Sequence, residues 1–205
     1  MIYDTFNPQI ARIILRQAKE GSRILDVGCG TGKLGQYLKS RLKCYIVGIE
    51  IDQEAVNYAK SIYDEIIVMD LEELIDGILK LYNQRKFNFI VFGDILEHVS
   101  KPEKLLDYFR DFLEENGFLI ASIPNVANWM IRIKLLFGNF DYSGGILDKG
   151  HLKFFTYKNA KKLLEENGYR VVYVINNNTF ILFKFLGRFW KEMFAFQFVF
   201  KCVKK

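Results

Sequence analysis

Apolar residues recur along this chain in two rhythms. In the first segment Ile10, Ile13 and Ile14, followed by Gln17 or Ala18, fall on one face, the spacing of an amphipathic helix over Pro8–Lys19. Beyond it the runs "RILDV", "CYIVGI", "EIIVMD" and "FNFIVFGD" are short and continuously apolar, and helical segments separate them. Strands apolar on both faces that alternate with helices predict a parallel sheet covered on both sides. Two later segments, "FLEENGFLIASI" and "LLEENGYRVVYVI", share their punctuation. In each, Gly117 or Gly168 stands where a helix end takes a left-handed residue, and a β-rich run follows. The tail reads as an aromatic helical stretch over 179–193 and a last strand from about Phe194 to Val203.

Composition narrows the class. The 205 residues suit one domain, 1–205, with a sizeable core, and no linker or low-complexity segment divides them. "MIYDTFNPQIARII" is broken by Asp4, Asn7, Pro8 and Arg12, so no signal peptide is expected, and no uncharged run reaches the roughly 20 residues of a membrane span. Cys29, Cys44 and Cys202 are odd in number and lack metal-ligand spacing, which suits a reducing cytoplasm; no metal is expected. A net charge of +5 favours anionic surfaces or substrates and is too weak to imply nucleic acid.

The chemistry centres on "RILDVGCGTGKLGQYL", residues 23–38. It contains a formal G-x-G-x-x-G from Gly30 to Gly35, and Glu50 follows Gly30 by 20 residues, as in dinucleotide-binding folds. The frame argues otherwise. In a dinucleotide site the first glycine directly follows the strand, so that the pyrophosphate meets the helix N-terminus. Here the strand runs into Gly28, the loop is Gly28-Cys29-Gly30-Thr31-Gly32, and the place of the third glycine holds Lys33. Asp26, near the strand end, repels a pyrophosphate and suits an ammonium. A ligand with an amino acid tail, a ribose and no phosphate fits this wall better, and a nicotinamide oxidoreductase is the lesser alternative.

"ILDVGCGTG" resembles the first motif of class I S-adenosylmethionine-dependent methyltransferases. "VGIEID", "VMDLEEL", "FIVFGDILEHVSKPEKLL" and "NGFLIASIPN" resemble the motifs that follow it, in order, and the resemblance runs from about Arg23 to the C-terminus. It implies an α/β fold: a Rossmann-like, doubly wound seven-stranded sheet, mostly parallel with an antiparallel last strand, helices on both faces. It also implies S-adenosyl-L-methionine as cofactor and S-adenosyl-L-homocysteine as product. Gly28, Cys29, Gly30 and Gly32 would border the methionyl moiety, with Asp26 near its ammonium. Glu50 would take both ribose hydroxyls, Asp70 the adenine amino group, and Ile51 and Leu71 would be apolar walls. Asp94 would line the methyl side. Cys29 has no basic neighbour in sequence and reads as packed, not nucleophilic, and Asp52, Glu72 and Glu73 read as helix-start charges.

Segment 125–156, "NVANWMIRIKLLFGNFDYSGGILDKGHLKFFT", is similar to bacterial methyltransferases of polysaccharide, O-antigen and cell-envelope pathways, and more loosely to ubiquinone-type O-methyltransferases. Nucleic-acid amino-methylating enzymes share an Asn/Asp-Pro-Pro-aromatic motif where this chain has "GDILEH", so a nucleic-acid partner is not expected. A small-molecule acceptor is. For a hydroxyl acceptor a base is needed, and the only histidines, His151 and His98, are the candidates. Asn125, Trp129, Arg132, Tyr142 and Lys153 could contact a sugar or anion, although Arg132 and Lys134 also fit a solvated helix face. Helix 1–20 and the loop Gly138–Phe155 would act as lids. The aromatic stretch 179–193 suits core, a homodimer interface or peripheral membrane contact, and the residues alone leave these open. The reading is a methyltransferase acting on a sugar or lipid-linked envelope precursor. A catalytically silent cofactor-binding module, or an N- or C-methyltransferase, remains the rival.

Overall fold

The computed structural model describes residues 6–73, 85–142, 144–177 and 190–205. Elements follow in the order α1 (Pro8–Leu15), β1 (Arg23–Val27), α2 (Lys33–Lys39), β2 (Tyr45–Glu50), α3 (Gln53–Ala59), β3 (Glu65–Val68) and β4 (Phe87–Gly93). Then come α4 (Pro102–Arg110), β5 (Leu113–Pro124), α5 (Trp129–Leu136), α6 (Tyr157–Glu166), β6 (Tyr169–Asn177), α7 (Lys191–Phe194) and β7 (Gln197–Lys204). The strands form one seven-stranded sheet in the order β3-β2-β1-β4-β5-β7-β6. Pairs from β3 through to β5 are parallel, and β7 lies antiparallel to both β5 and β6. This is the mostly parallel, doubly wound sheet with a reversed last strand that the sequence predicts. Among the described residues no helix is long and apolar enough to cross a membrane.

Two apolar layers clothe the sheet. On one face Leu25, Val27, Phe92, Phe198 and Phe200 pack with Leu106 and Phe109 of α4 and Leu164 of α6. On the other, Ile24, Ile46, Val91 and Val199 pack under Ile10, Ile13 and Ile14 of α1 and Leu34 and Leu38 of α2. The period of two places Asp26, between Leu25 and Val27, on the α1–α2 side. Side-chain oxygens settle several helix starts: Asn7 for α1, Asp52 for α3, and a Thr156–Asn159 capping box for α6.

The boundaries bring corrections. The first helix ends at Leu15 rather than Lys19, although its buried face, Ile10, Ile13 and Ile14, is the expected one. Gly168 does end α6, with φ 85°. Gly117 does not end a helix: α4 closes at Arg110, and Gly117 lies inside β5 without a left-handed φ. Its role is close approach, because a Cβ there would stand 2.8 Å from Leu113 Cδ1 and 3.1 Å from the Asn88 carbonyl oxygen. The last strand starts at Gln197, since α7 takes up Phe194. Of the aromatic helix expected over 179–193, residues 179–189 lie outside the described residues.

Phe109 is fully buried and meets Phe92 edge to face, with centroids 5.6 Å apart, so it tests the α4 layer. Phe109→Ala is expected to lower unfolding stability by about 3–5 kcal/mol, read by urea denaturation. A change below about 1 kcal/mol would mean that this face is not close-packed.

Candidate active site

The glycine loop leaves β1 at Val27 and enters α2 at Lys33 with Gly28, Gly30 and Gly32 all at positive φ. Glu50, at the end of the neighbouring β2, fixes this loop. One carboxylate oxygen accepts from Gly30 N at 2.8 Å, and the other accepts from Ile51 N at 2.8 Å and Asp52 N at 2.9 Å. Each oxygen carries two lone pairs, so a hydroxyl can still be received. Two glycines serve the protein's own packing. A Cβ on Gly28 would lie 2.0 Å from Ile95 Cδ1, and one on Gly32 would lie 2.8 Å from the Tyr63 ring. Gly28 lines the cavity described next, whereas Gly32 does not.

A cavity of about 240 Å³ opens at the carboxyl ends of the strands. Asp26, Gly28, Cys29, Gly30 and Asp94 line it, with Pro8 and Ile10 on the α1 side. Asp26 is 4% exposed and accepts from the Tyr63 hydroxyl at 2.6 Å. Burial pushes its pKa up to about 6, the Tyr63 bond opposes the rise, and the Glu50 charge adds to it. Burial, with Asp26 and Glu50 nearby, also pushes the Cys29 thiol well up, which removes it as a nucleophile and matches its reading as a packed residue. Asp94 has a left-handed φ of 56°, which swings its side chain across the strand end. Its Oδ1 accepts from Ser122 Oγ at 3.0 Å and from the Gln197 amide, and the Gln197 carbonyl oxygen accepts from Asn7 Nδ2. The start of α1 is thereby tied to β7 and β4. Burial raises the Asp94 pKa against these bonds.

Ile51, Asp70 and Leu71 follow β2 and β3, next to the loop but outside that cavity. Ile51 is 57% exposed, Asp70 accepts from Glu72 N at 2.9 Å, and Leu71 packs on the core. Asp52 caps α3 as expected, whereas the Glu72 carboxylate accepts from both Ser100 N and Ser100 Oγ, joining two strand-end loops.

On the acceptor side the fold brings His98 and His151 together edge to face, centroids 4.7 Å apart. His98 Nδ1 faces the Gly150 carbonyl and His151 Nδ1 the Ile146 carbonyl, each at 3.0 Å. A carbonyl only accepts, so each Nδ1 carries its proton and each Nε2 of a neutral ring offers a lone pair. Burial lowers the His151 pKa, favouring that neutral form. Beside them is Glu97, 1% exposed, whose two carboxylate oxygens have no hydrogen-bond partner among the described residues. Ligand atoms of Glu97, His98 and His151 lie within 4.8 Å of one another, a donor set suited to a divalent cation. Burial and the Asp94 charge push the Glu97 carboxyl well up. Asp94 thus couples the cavity to this cluster.

Asn125 is not a sugar contact. It is fully buried, and its amide donates to the Glu192 and Ala195 carbonyls while its oxygen accepts from Ala127 N. Arg132 is exposed on α5 and donates to the Ala127 carbonyl at 2.7 Å. Tyr142 and Lys153 are exposed, and Trp129 is half-buried at the start of α5. Tyr63, Ser122, Gln197, Asn7 and Glu97 escaped the sequence reading. Only Glu97, an acid inside the apolar run from Ile95 to Val99, carried a local signal.

A family model described as a methyltransferase domain matches residues 3–174. The chain is 29% identical to the mitochondrial ubiquinone biosynthesis O-methyltransferase of Mus musculus over 74% of this chain and 42% of that protein. It is 22% identical to the (S)-tetrahydroprotoberberine N-methyltransferase of Eschscholzia californica over 65% and 39%. It therefore spans about two fifths of either relative's length. Among solved structures, magnesium protoporphyrin IX methyltransferase of Synechocystis PCC 6803 with bound SAH superposes with a TM-score of 0.68 at 15% identity, covering 97% of this chain and 81% of that one, a likeness of fold.

Asp26 ionises near pH 6 in the folded chain rather than at its ordinary 3.8, so the folded state holds this proton more tightly than the unfolded state. Stability contributed by that proton falls as pH rises from about 4 to about 6 and is then lower by about 3 kcal/mol. Asp26→Asn is expected to gain on the wild type across that window and to hold a level advantage of up to about 3 kcal/mol above it. Guanidinium denaturation at stepped pH reads the difference, and a pH-independent gap would show that Asp26 is not buried as described.

Proposed function

We propose O-methylation of a small hydroxylated acceptor for this chain, which belongs to the class I S-adenosylmethionine-dependent methyltransferases. The observation that carries the oxygen acceptor is the His98–His151 pair, each Nδ1 spent on a carbonyl, with His98 one residue beyond the buried Glu97 and near Asp94, which lines the cofactor cavity. A neutral imidazole with a free Nε2 can take a hydroxyl proton as the C–O bond forms.

The cofactor fits the residues present. Asp26 supplies a buried carboxylate for an ammonium, Gly28 and Gly30 expose backbone without side chains, and Glu50 Oε2 keeps one lone pair for a ribose hydroxyl. Asp70 and Leu71 extend the wall for adenine. When bound, S-adenosylmethionine supplies a sulfonium methyl. The protein's part is to hold donor and acceptor in line, to exclude water with α1, and to keep His151 neutral. The transition state disperses positive charge, so no oxyanion hole is required, and the carboxyls Asp26 and Asp94 favour binding of the cationic cofactor. A sugar or envelope precursor is the acceptor class we favour, supported by the 125–156 segment; the mouse relative's name, an O-methyltransferase, agrees with an oxygen acceptor.

Labelled S-adenosylmethionine offered with envelope sugars and small phenols, followed by mass spectrometry, tests this directly. Transfer to nitrogen or carbon alone would overturn it. His151→Ala is expected to lower kcat about 10²- to 10⁴-fold. Glu50→Ala is expected to weaken S-adenosylhomocysteine binding by about a hundredfold, read by calorimetry.

A second reading rests on the Glu97 carboxylate, unpartnered among the described residues: Glu97, His98 and His151 would hold a divalent cation, which would supply Lewis acidity for an acceptor hydroxyl. Manganese added after EDTA dialysis should then raise the melting temperature of the wild type and leave that of Glu97→Gln unmoved. An equal response in both would remove the metal and leave the histidine base.

A further inference from the structure

Alternate residues of β7 and β6 point toward α1 and serve two separate cavities. Gln197 and Asn177 line the cofactor cavity, whereas Lys201, Tyr173 and Ile175 line a second one of about 370 Å³. Arg12 and Ile13 of α1, with Arg16 and Gln17 just beyond it, close its other side. Val199, fully buried, stands between Gln197 and Lys201 along the strand, and the two cavities share no residue.

Among the described residues this second cavity is lined by three cationic side chains and no carboxylate. Lys201 is 8% exposed, with its ammonium 3.7 Å from the centroid of the Phe118 ring. Among the described residues it has no hydrogen-bond or ion-pair partner, and burial lowers its pKa. A largely buried lysine whose ammonium reaches the cavity with only a ring beside it is left short of an anion. Arg12 and Arg16, one helical turn apart, repel each other, and neither forms an ion pair among the described residues. Gln17 and Tyr173 add neutral donors at the rim.

We propose that this cavity is a phosphate-binding site, with Lys201 at its floor and Arg12 and Arg16 as forked donors at its mouth. A tetrahedral dianion offers enough oxygens for all three cations, where a carboxylate has two. The volume exceeds a bare phosphate, so the group arrives on an organic body that rests against Ile13, Ile175 and Tyr173. The site is independent of the methyl-transfer reading, because none of its residues enters that chemistry.

The full chain should be titrated by calorimetry with glycerol 3-phosphate at fixed ionic strength, and floated with phosphatidylcholine vesicles with and without phosphatidic acid. Saturable binding of glycerol 3-phosphate supports a soluble phosphate ester as the source. Flotation that requires phosphatidic acid supports a lipid head group. Lys201→Met, which keeps the stem over Phe118, should abolish either signal and leave the melting temperature unchanged or higher. The exposed pair Arg12→Gln with Arg16→Gln should weaken binding at least about tenfold without affecting the fold. Failure of the wild type to bind both probes, or full binding by the folded variants, overturns the site.

Discussion

The bridge made by Gln197 organises the catalytic edge of this molecule. Its amide donates to Asp94 and its carbonyl oxygen accepts from Asn7, so one side chain joins the end of β4, the start of β7 and the cap of α1. Asn7 in turn accepts from Gln9 N and sets where α1 begins. None of this is available unless β7 inserts antiparallel between β5 and β6, because only then does its first residue meet Pro124 at the strand carboxyl ends. The reversed strand therefore does more than complete a sheet. It delivers a polar residue to the mouth of the cavity and a lysine four residues deeper, both beneath the same helix.

Two buried carboxyls, Asp26 and Glu97, and the half-buried Asp94 lie along that edge, and the protein answers each differently. Asp26 has the Tyr63 hydroxyl, Asp94 has Ser122 and Gln197, and the Glu97 carboxylate has no hydrogen-bond partner among the described residues. Burial raises all three pKa values, an electrostatic cost of the ionised forms that a cation beside them would offset. That electrostatic preference selects ligands carrying positive charge, an ammonium or a sulfonium, and it opposes a pyrophosphate. It is the physical form of the frame argument that separates this glycine loop from a dinucleotide one. The tyrosine at Asp26 moderates the preference by favouring the ionised state, which keeps that carboxyl ready near neutral pH.

What the sequence could show was local. The apolar periods place β1 to β4 and the buried face of α1, and the spacing from the glycine loop to Glu50 marks a real contact, since Glu50 binds Gly30 N. What it hid lies between distant residues. Tyr63 meets Asp26 across 37 residues and Gln197 meets Asp94 across 103, and neither position has a neighbour pattern that reveals its partner. Asn125 looked like a polar contact on a loop, yet Asn125 Nδ2 is taken up holding the turn before β7. Gly117 looked like a helix end because its context matches that of Gly168, and the difference is a tertiary one, the nearness of Leu113 and Asn88. Local signals find elements and loops, whereas burial decides what a polar residue in them is for.

Helix α1 has eight residues, too few to hold a helix in water without packing. Its place is set by Ile10, Ala11, Ile13 and Ile14 against the sheet and by the Asn7 cap. The same short element lines the cofactor cavity with Pro8 and Ile10 and the basic cavity with Arg12 and Ile13. Those four buried residues and the Asn7 cap hold in place the helix that both cavities share.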